Sequence, residues 1–205
     1  VWFVFWGYGT MDRFCKGRGI FIFDTETTGL PRHGKVYLPG GRGWPHLVQV
    51  AWILYDGSGC ECKRENLLIK PAGFDIPESA VAIHGITTEQ ALRDGVALRG
   101  ALCAFARDMA QAGVVVAHNM RFDQGVIAAE CFLEGLPDPF VGRRSICTML
   151  ASGRRAGRNQ RYLSLSRLYQ DLFLCEREGA HDAANDAEAC ARCFFELVRR
   201  GDIRV

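Results

Sequence analysis

Long apolar runs, a strong charge of one sign and a cysteine framework are all missing from this sequence, and each absence narrows what the chain can be. The opening stretch V-W-F-V-F-W-G-Y-G-T, residues 1–10, is too short to span a bilayer and has neither the basic start nor the cleavage site of a secretory signal. No membrane partner is expected. Residues 1–17 are read as an extension, non-native or disordered, with translation beginning at Met11; a sticky aromatic arm is the alternative. A net charge of +2 and a pI near 8.1 are too mild for bulk charge to argue for a nucleic-acid partner, so any basic patch must be local. The nine cysteines follow no framework spacing, and their odd number indicates reduced thiols and a cytoplasmic setting. Cys60 and Cys62 are too close for ordinary zinc ligation, and Cys190 and Cys193 have C-x-x-C spacing without a second ligand pair nearby. Structural zinc needs four ligands, so both pairs read as core or surface cysteines.

What is present is an ordinary globular composition, 48% hydrophobic and 23% charged over 205 residues. That length predicts one domain, residues 18–205, with a sizeable core. The most informative stretch is G-I-F-I-F-D-T-E-T-T-G-L at 19–30. Its apolar run at 20–23 is short, β-branched and aromatic, which predicts a buried central strand. Side chains two apart on a strand share a face, so Asp24 and Glu26 project together at the strand's exit, with no basic residue between them. Adjacent carboxylates repel and are kept mainly where a cation sits between them; hard oxygen ligands suit Mg²⁺ or Mn²⁺. For this stretch alone, the alternative is a strand end with two solvated carboxylates before a polar turn.

Downstream, residues 31–45 are rich in Gly, Pro and basic side chains and read as a loop. Strands are predicted at 47–56 and 62–70, close enough to the first to form an antiparallel meander. Helices follow at 77–83, 88–93 and 96–112, the last stopped by Gly113. His84 lies in the connection H-G-I-T and reads, on physical grounds, as a hydrogen-bonding histidine. A strand at 114–117 leads through His118 and Asn119 into a helix at 122–136, with Asp123 in its first turn. The carboxyl edge of an α/β sheet is where ligands bind, although a helix dipole alone also favours an acid there. Residues 145–152 are read as a short helical turn. Arg154, Arg155, Arg158 and Arg161 then crowd a Gly-containing loop without an acid, which suits phosphate contacts; a solvated loop is the alternative. An amphipathic helix is expected at 163–173. Finally, H-D-A-A-N-D-A-E-A opens a helix running to residue 200 and capped by Asp182. His181 then lies outside that helix, while Asp186 points inward if Ala183, Ala187 and Ala191 pack on the sheet.

Asp24, Glu26, Asp123, His181 and Asp186 thus stand in a definite order within F-D-T-E-T-T-G at 23–29, A-H-N-M-R-F-D at 117–123 and H-D-A-A-N-D-A at 181–187. In these pieces the chain resembles the DEDDh exonucleases, the superfamily that includes polymerase proofreading subunits. I-H-G-I-T at 83–87 is similar to a segment often found between the first two, and the likeness covers nearly the whole chain. It implies an α/β, ribonuclease H-like fold: a mixed central sheet whose first three strands are antiparallel, with helices on both faces. It also implies 3′–5′ exonuclease activity on DNA with two divalent cations, Mg²⁺ or Mn²⁺. By the same likeness Asp24, Glu26 and Asp186 bind the tighter ion, Asp24 bridges to the second, Asp123 holds that second ion, and His181 is the general base. The turn at Thr27, Gly29 and Leu30 is implied to carry the 3′-terminal nucleotide. His84, His118, Asn119, Arg154, Arg155, Arg158 and Arg161 are further candidates for contact with the strand.

The partner implied is a single-stranded 3′ end of DNA, in a proofreading or repair role. W-P-H-L-V-Q-V-A-W-I-L-Y-D at 44–56 and I-C-T-M at 146–149 resemble a freestanding bacterial or phage branch, so a polymerase is expected as a loose associate at most. Two other readings stay open. One is an exoribonuclease that trims RNA or degrades oligoribonucleotides; the other is a catalytically silent nucleic-acid-binding domain. D-T-E-T-T-G leans toward DNA, and the presence of all five motif residues argues against silence.

Overall fold

The computed structural model describes residues 19–31, 43–154 and 162–205. The extension at 1–17, Arg155, Arg158 and Arg161 lie outside the described residues, and of Arg154 only the backbone is described. Five strands form one sheet in the order β3-β2-β1-β4-β5. β1 (Gly19–Thr27), β2 (Leu47–Tyr55) and β3 (Glu61–Leu68) are antiparallel neighbours, while β4 (Ala112–Ala117) and β5 (Arg144–Cys147) run parallel to β1. The meander and the mixed sheet are therefore as expected.

Alternation along β1 divides the core in two. Phe21 and Phe23 face one side, with Trp52, and pack against α3 (Leu98–Met109) and α4 (Met120–Leu133). There the Phe105 ring meets Phe21 edge-on, with centroids 5.0 Å apart, and emptying such a site by Phe105→Ala costs about 3–5 kcal/mol. Ile20 and Ile22 face the other side and pack, with Val114 and Val116, under α6 (Leu165–Phe173) and α7 (Ala183–Arg200). Asp24 and Glu26 continue this second face, which is why they look toward α7.

Local pairing moves several boundaries. β1 carries both carboxylates, as expected, and runs on to Thr27, because β2 pairs with it that far. The helix expected at 96–112 is the shorter α3, since Val96 pairs with Ile69 in a parallel bridge and Ala112 already belongs to β4. Gly113 is consequently a strand residue and not a helix stop. Of the turn expected at 145–152, only Thr148–Ala151 is α-helical (α5); its first part is the edge strand β5, recruited by pairing with β4, and Ser152–Arg154 form a 3₁₀ turn. Helices α1 (Glu78–His84) and α2 (Thr88–Asp94) cover the antiparallel end of the sheet through Ile76, Ala80, Ile86 and Ala91, and α1 includes His84. No helix among the described residues is long and apolar enough to cross a membrane. The eight described cysteines are all free thiols, Cys190 and Cys193 lying in the core and Cys60 and Cys62 at the surface.

Candidate active site

Three elements bring the predicted acids together. β1 supplies Asp24 and Glu26, the first turn of α4 supplies Asp123, and the first turn of α7 supplies Asp186. α7 descends this far because its contact face is small: Ala183 and Ala187 pack on Ala51, the cross-strand partner of Asp24. A bulkier side chain at either position would hold Asp186 away from the sheet. Asp182 caps the helix, its Oδ1 accepting from the Ala184 and Asn185 amides at 3.1 Å, a contribution of about 1 kcal/mol.

The cluster of carboxyls is buried, with Asp24 9%, Asp123 3% and Asp186 8% exposed. Asp123 accepts a hydrogen bond from the Thr25 hydroxyl at 2.7 Å, which turns its carboxylate over the end of β1. Burial, then Asp123, Asp186 and Glu26, push the Asp24 carboxyl well above its ordinary range, with Arg177 opposing. Burial, then the neighbouring acids Asp186, Asp123 and Asp182, raise Glu26 to about 7, and burial raises Asp123 to about 7. Carboxylates held this close favour either protons or a cation among them. Their donor set is all oxygen, which suits a hard divalent ion of the Mg²⁺ or Mn²⁺ kind.

His181 lies where the sequence puts it, in the loop before α7, exposed and with φ of 65°. Donor atoms of Glu26, His181 and Asp186 all fall within 4.8 Å of one another. His84 accepts from the Ile86 amide at 3.1 Å through Nδ1, and its Nε2 is buried without a hydrogen-bond partner among the described residues. Burial holds His84 below the ordinary imidazole range, with the Thr27 backbone opposing and His181 adding to the effect. His118 is different: both ring nitrogens are used internally, at 2.9 Å from the Thr148 hydroxyl and 3.1 Å from the Leu163 carbonyl. A carbonyl only accepts, so Nε2 carries the proton and Nδ1 accepts from Thr148. Burial lowers this imidazole to about 4. His118 is thus an internal brace and not the substrate contact expected.

The turn after β1 is pinned from the side. Thr28 and His46 exchange backbone and hydroxyl hydrogen bonds at 2.9 Å, and the Thr27 hydroxyl donates to the Gly29 carbonyl at 2.7 Å. Gly29 has φ of 142°, in open space, and Leu30 is 80% exposed. A cleft of about 380 Å³ opens beside Thr28 and Leu30, walled by Trp44, His46 and Phe74. Asn119, in the left-handed conformation, lines a second cleft of about 650 Å³ with Met120, Gln124 and Tyr162.

Two residues absent from the sequence reading matter here. Gln49, opposite Glu26 on β2, donates to Asp182 Oδ2 at 3.0 Å and accepts from the Ala183 amide at 3.1 Å, clamping the start of α7. A polar residue within the apolar run of β2 was the available hint. Arg177, from the loop between α6 and α7, places its guanidinium on both oxygens of Asp186. Nothing in its local sequence, E-R-E, distinguishes it from a surface arginine.

A family model described as Exonuclease (RNase_T) matches residues 21–194. No protein of curated function matches the chain in sequence. Among solved structures, Escherichia coli Exonuclease I in complex with a dT13 oligonucleotide superposes with a TM-score of 0.68 at 21% identity, covering 89% of this chain and 41% of that one. Exonuclease I from Methylocaldum szegediense gives 0.70 at 20% identity, with 89% and 41% covered. The nuclease domain of 3′hExo, a DEDDh family member bound to rAMP, gives 0.70 at 16% identity, with 90% of this chain and 94% of that one covered. The chain therefore spans about two fifths of the Exonuclease I proteins and nearly all of the 3′hExo domain.

Proposed function

The chain belongs to the exonuclease family of the DEDDh type, with its ribonuclease H-like sheet, and on that premise we propose that residues 18–205 act as a single domain removing nucleotides from the 3′ end of single-stranded DNA. The observation that carries this reading is the convergence of Asp24, Glu26, Asp123 and Asp186 in one buried cluster, with the exposed His181 at its rim. These four acids would hold two divalent cations, Mg²⁺ or Mn²⁺, which when bound supply Lewis-acid stabilisation of charge at the scissile phosphate. His181 takes the proton of the attacking water; a loop position lets it reach over the substrate, and an imidazole is suited to the task near neutral pH. Thr27, Gly29 and Leu30 seat the terminal nucleotide, the exposed Leu30 offering an apolar edge to its base, while His84 and Asn119 flank the strand. Arg154, Arg155, Arg158 and Arg161 follow its phosphates.

An RNA substrate is the second reading, and one observation favours it: the chain matches almost the full length of a nuclease domain solved with rAMP. Digestion of matched end-labelled DNA and RNA oligonucleotides, blocked or free at the 3′ end, in Mg²⁺, Mn²⁺ or chelator separates the two. Stepwise loss from free DNA 3′ ends, abolished by chelation, is the expected result. Preferential loss from RNA establishes the second reading, and no digestion of either under any metal overturns both.

A further inference from the structure

We infer that Arg177 is a built-in cation of the carboxylate cluster, holding Asp186 in competition with the divalent ion and so setting how tightly that ion binds. The inference rests on the proposed role of Asp186 as a metal ligand. Arg177 is fully engaged inside the protein. Two guanidinium nitrogens meet the two oxygens of Asp186, Nε donates to the Ser166 hydroxyl of α6 at 2.8 Å, and its side chain is 6% exposed. A planar, permanently charged fork of this kind matches a carboxylate two-fold, which a lysine would not. Its charge is also felt beyond its partner, since it counteracts the acids around both Asp24 and Glu26.

A divalent ion seated on Asp186 would share those oxygens with a guanidinium of the same sign. Like charges that close, in a buried setting, repel strongly. The ion therefore binds either by displacing Arg177 or against its repulsion, and both routes weaken binding. Arginine stays protonated at all working pH values, so this competition, unlike that of protons for the carboxylates, does not vary with pH. Arg177 also lies four residues before His181 on the same loop. Releasing the guanidinium from Asp186 frees the segment that carries the proposed base, so metal loading and loop mobility are coupled.

The test is calorimetric titration of Mn²⁺ into the chelator-stripped protein, comparing wild type with Arg177→Gln and Ser166→Ala. Arg177→Gln is expected to bind Mn²⁺ on the order of tenfold more tightly, within the usual scale for coupling between two ligands. Ser166→Ala, which loosens the guanidinium without removing its charge, should shift affinity in the same direction by less. Hydrogen–deuterium exchange of residues 174–182 in wild type should quicken when Mn²⁺ is added. Equal or weaker Mn²⁺ binding by a folded Arg177→Gln overturns the inference while leaving the proposed function intact. If that variant does not fold, unchanged affinity in Ser166→Ala together with unchanged exchange overturns it. Absence of Mn²⁺ binding in wild type and variants alike removes the metal role of Asp186 itself.

Discussion

At the scale of single residues, the acids and the histidine make separable demands. Asp24 is held above its ordinary range by burial first, and then by Asp123, Asp186 and Glu26. Asp24→Asn should therefore abolish turnover, while the melting temperature in chelator stays level or rises, because one repelling charge has gone. Loss of folding together with activity in the residual folded fraction would show Asp24 to be structural. His181 presents a different choice, since its proximity to Glu26 and Asp186 also fits a metal ligand. As a general base it must be neutral, so log rate climbs with pH and levels off once the imidazole has lost its proton. His181→Ala should then lose about 10²–10⁴-fold in single-turnover rate, flatten that climb, and keep the wild-type Mn²⁺ affinity in calorimetry. A matching fall in affinity would instead make it a ligand. All five residues were legible because each sits in a motif whose order and spacing survive in one dimension. Arg177 was not, since only the packing of its loop against α6 and α7 gives it a partner.

The elements show what sets these residues in place. β1, β2, β4, α4 and α7 were readable from apolar runs and caps, and the small-residue face of α7 from its alanines. β5 was not, because Arg-Ser-Ile-Cys has no alternation of its own and becomes a strand only through pairing with β4. Gln49 likewise gains its meaning from register: standing opposite Glu26, it reaches across to the start of α7. Replacing it by Ala leaves the buried Ala183 amide without its side-chain acceptor and takes the Gln49 donor from Asp182 Oδ2. Such a loss costs about 1–3 kcal/mol, so the melting temperature should fall. Because α7 also carries Asp186 and anchors the His181 loop, the variant's kcat should fall further than the folded fraction explains, with KM little changed. Gln49→Glu keeps the acceptor for Ala183 but brings a charge against Asp182, and should not rescue turnover. Wild-type kcat per folded molecule in Gln49→Ala would reduce the clamp to ordinary packing.

For the molecule as a whole, the buried acids couple stability to pH and metal with a definite sign. Glu26 and Asp123 are raised to about 7 in the folded protein, against roughly 4 for unfolded carboxyls. A raised carboxyl favours folding when protonated. Its contribution is complete below the unfolded value and is lost as pH rises through about 7. The histidines lowered by burial, His118 and His84, oppose this over part of the range. His118, lowered to about 4 by burial, remains neutral when folded, so its stability is lost as pH falls below the ordinary imidazole value of ~6.5. Above that value the carboxyls act alone, and below pH ~8 the buried thiols of Cys131 and Cys193, pushed up to about 12, stay silent in both states. In chelator, then, the melting temperature should decline between pH ~6.5 and ~8. Divalent ions select the ionised carboxylates that high pH supplies, so Mn²⁺ should raise the melting temperature more at the upper end and remove or reverse the decline. Asp123→Asn, which deletes one of the raised groups, should make the chelated protein's slope shallower. Scanning calorimetry across this window, with and without Mn²⁺, decides the matter: a flat profile in chelator, or equal stabilisation by Mn²⁺ at both ends, would show that the acids do not titrate as one buried cation-seeking cluster.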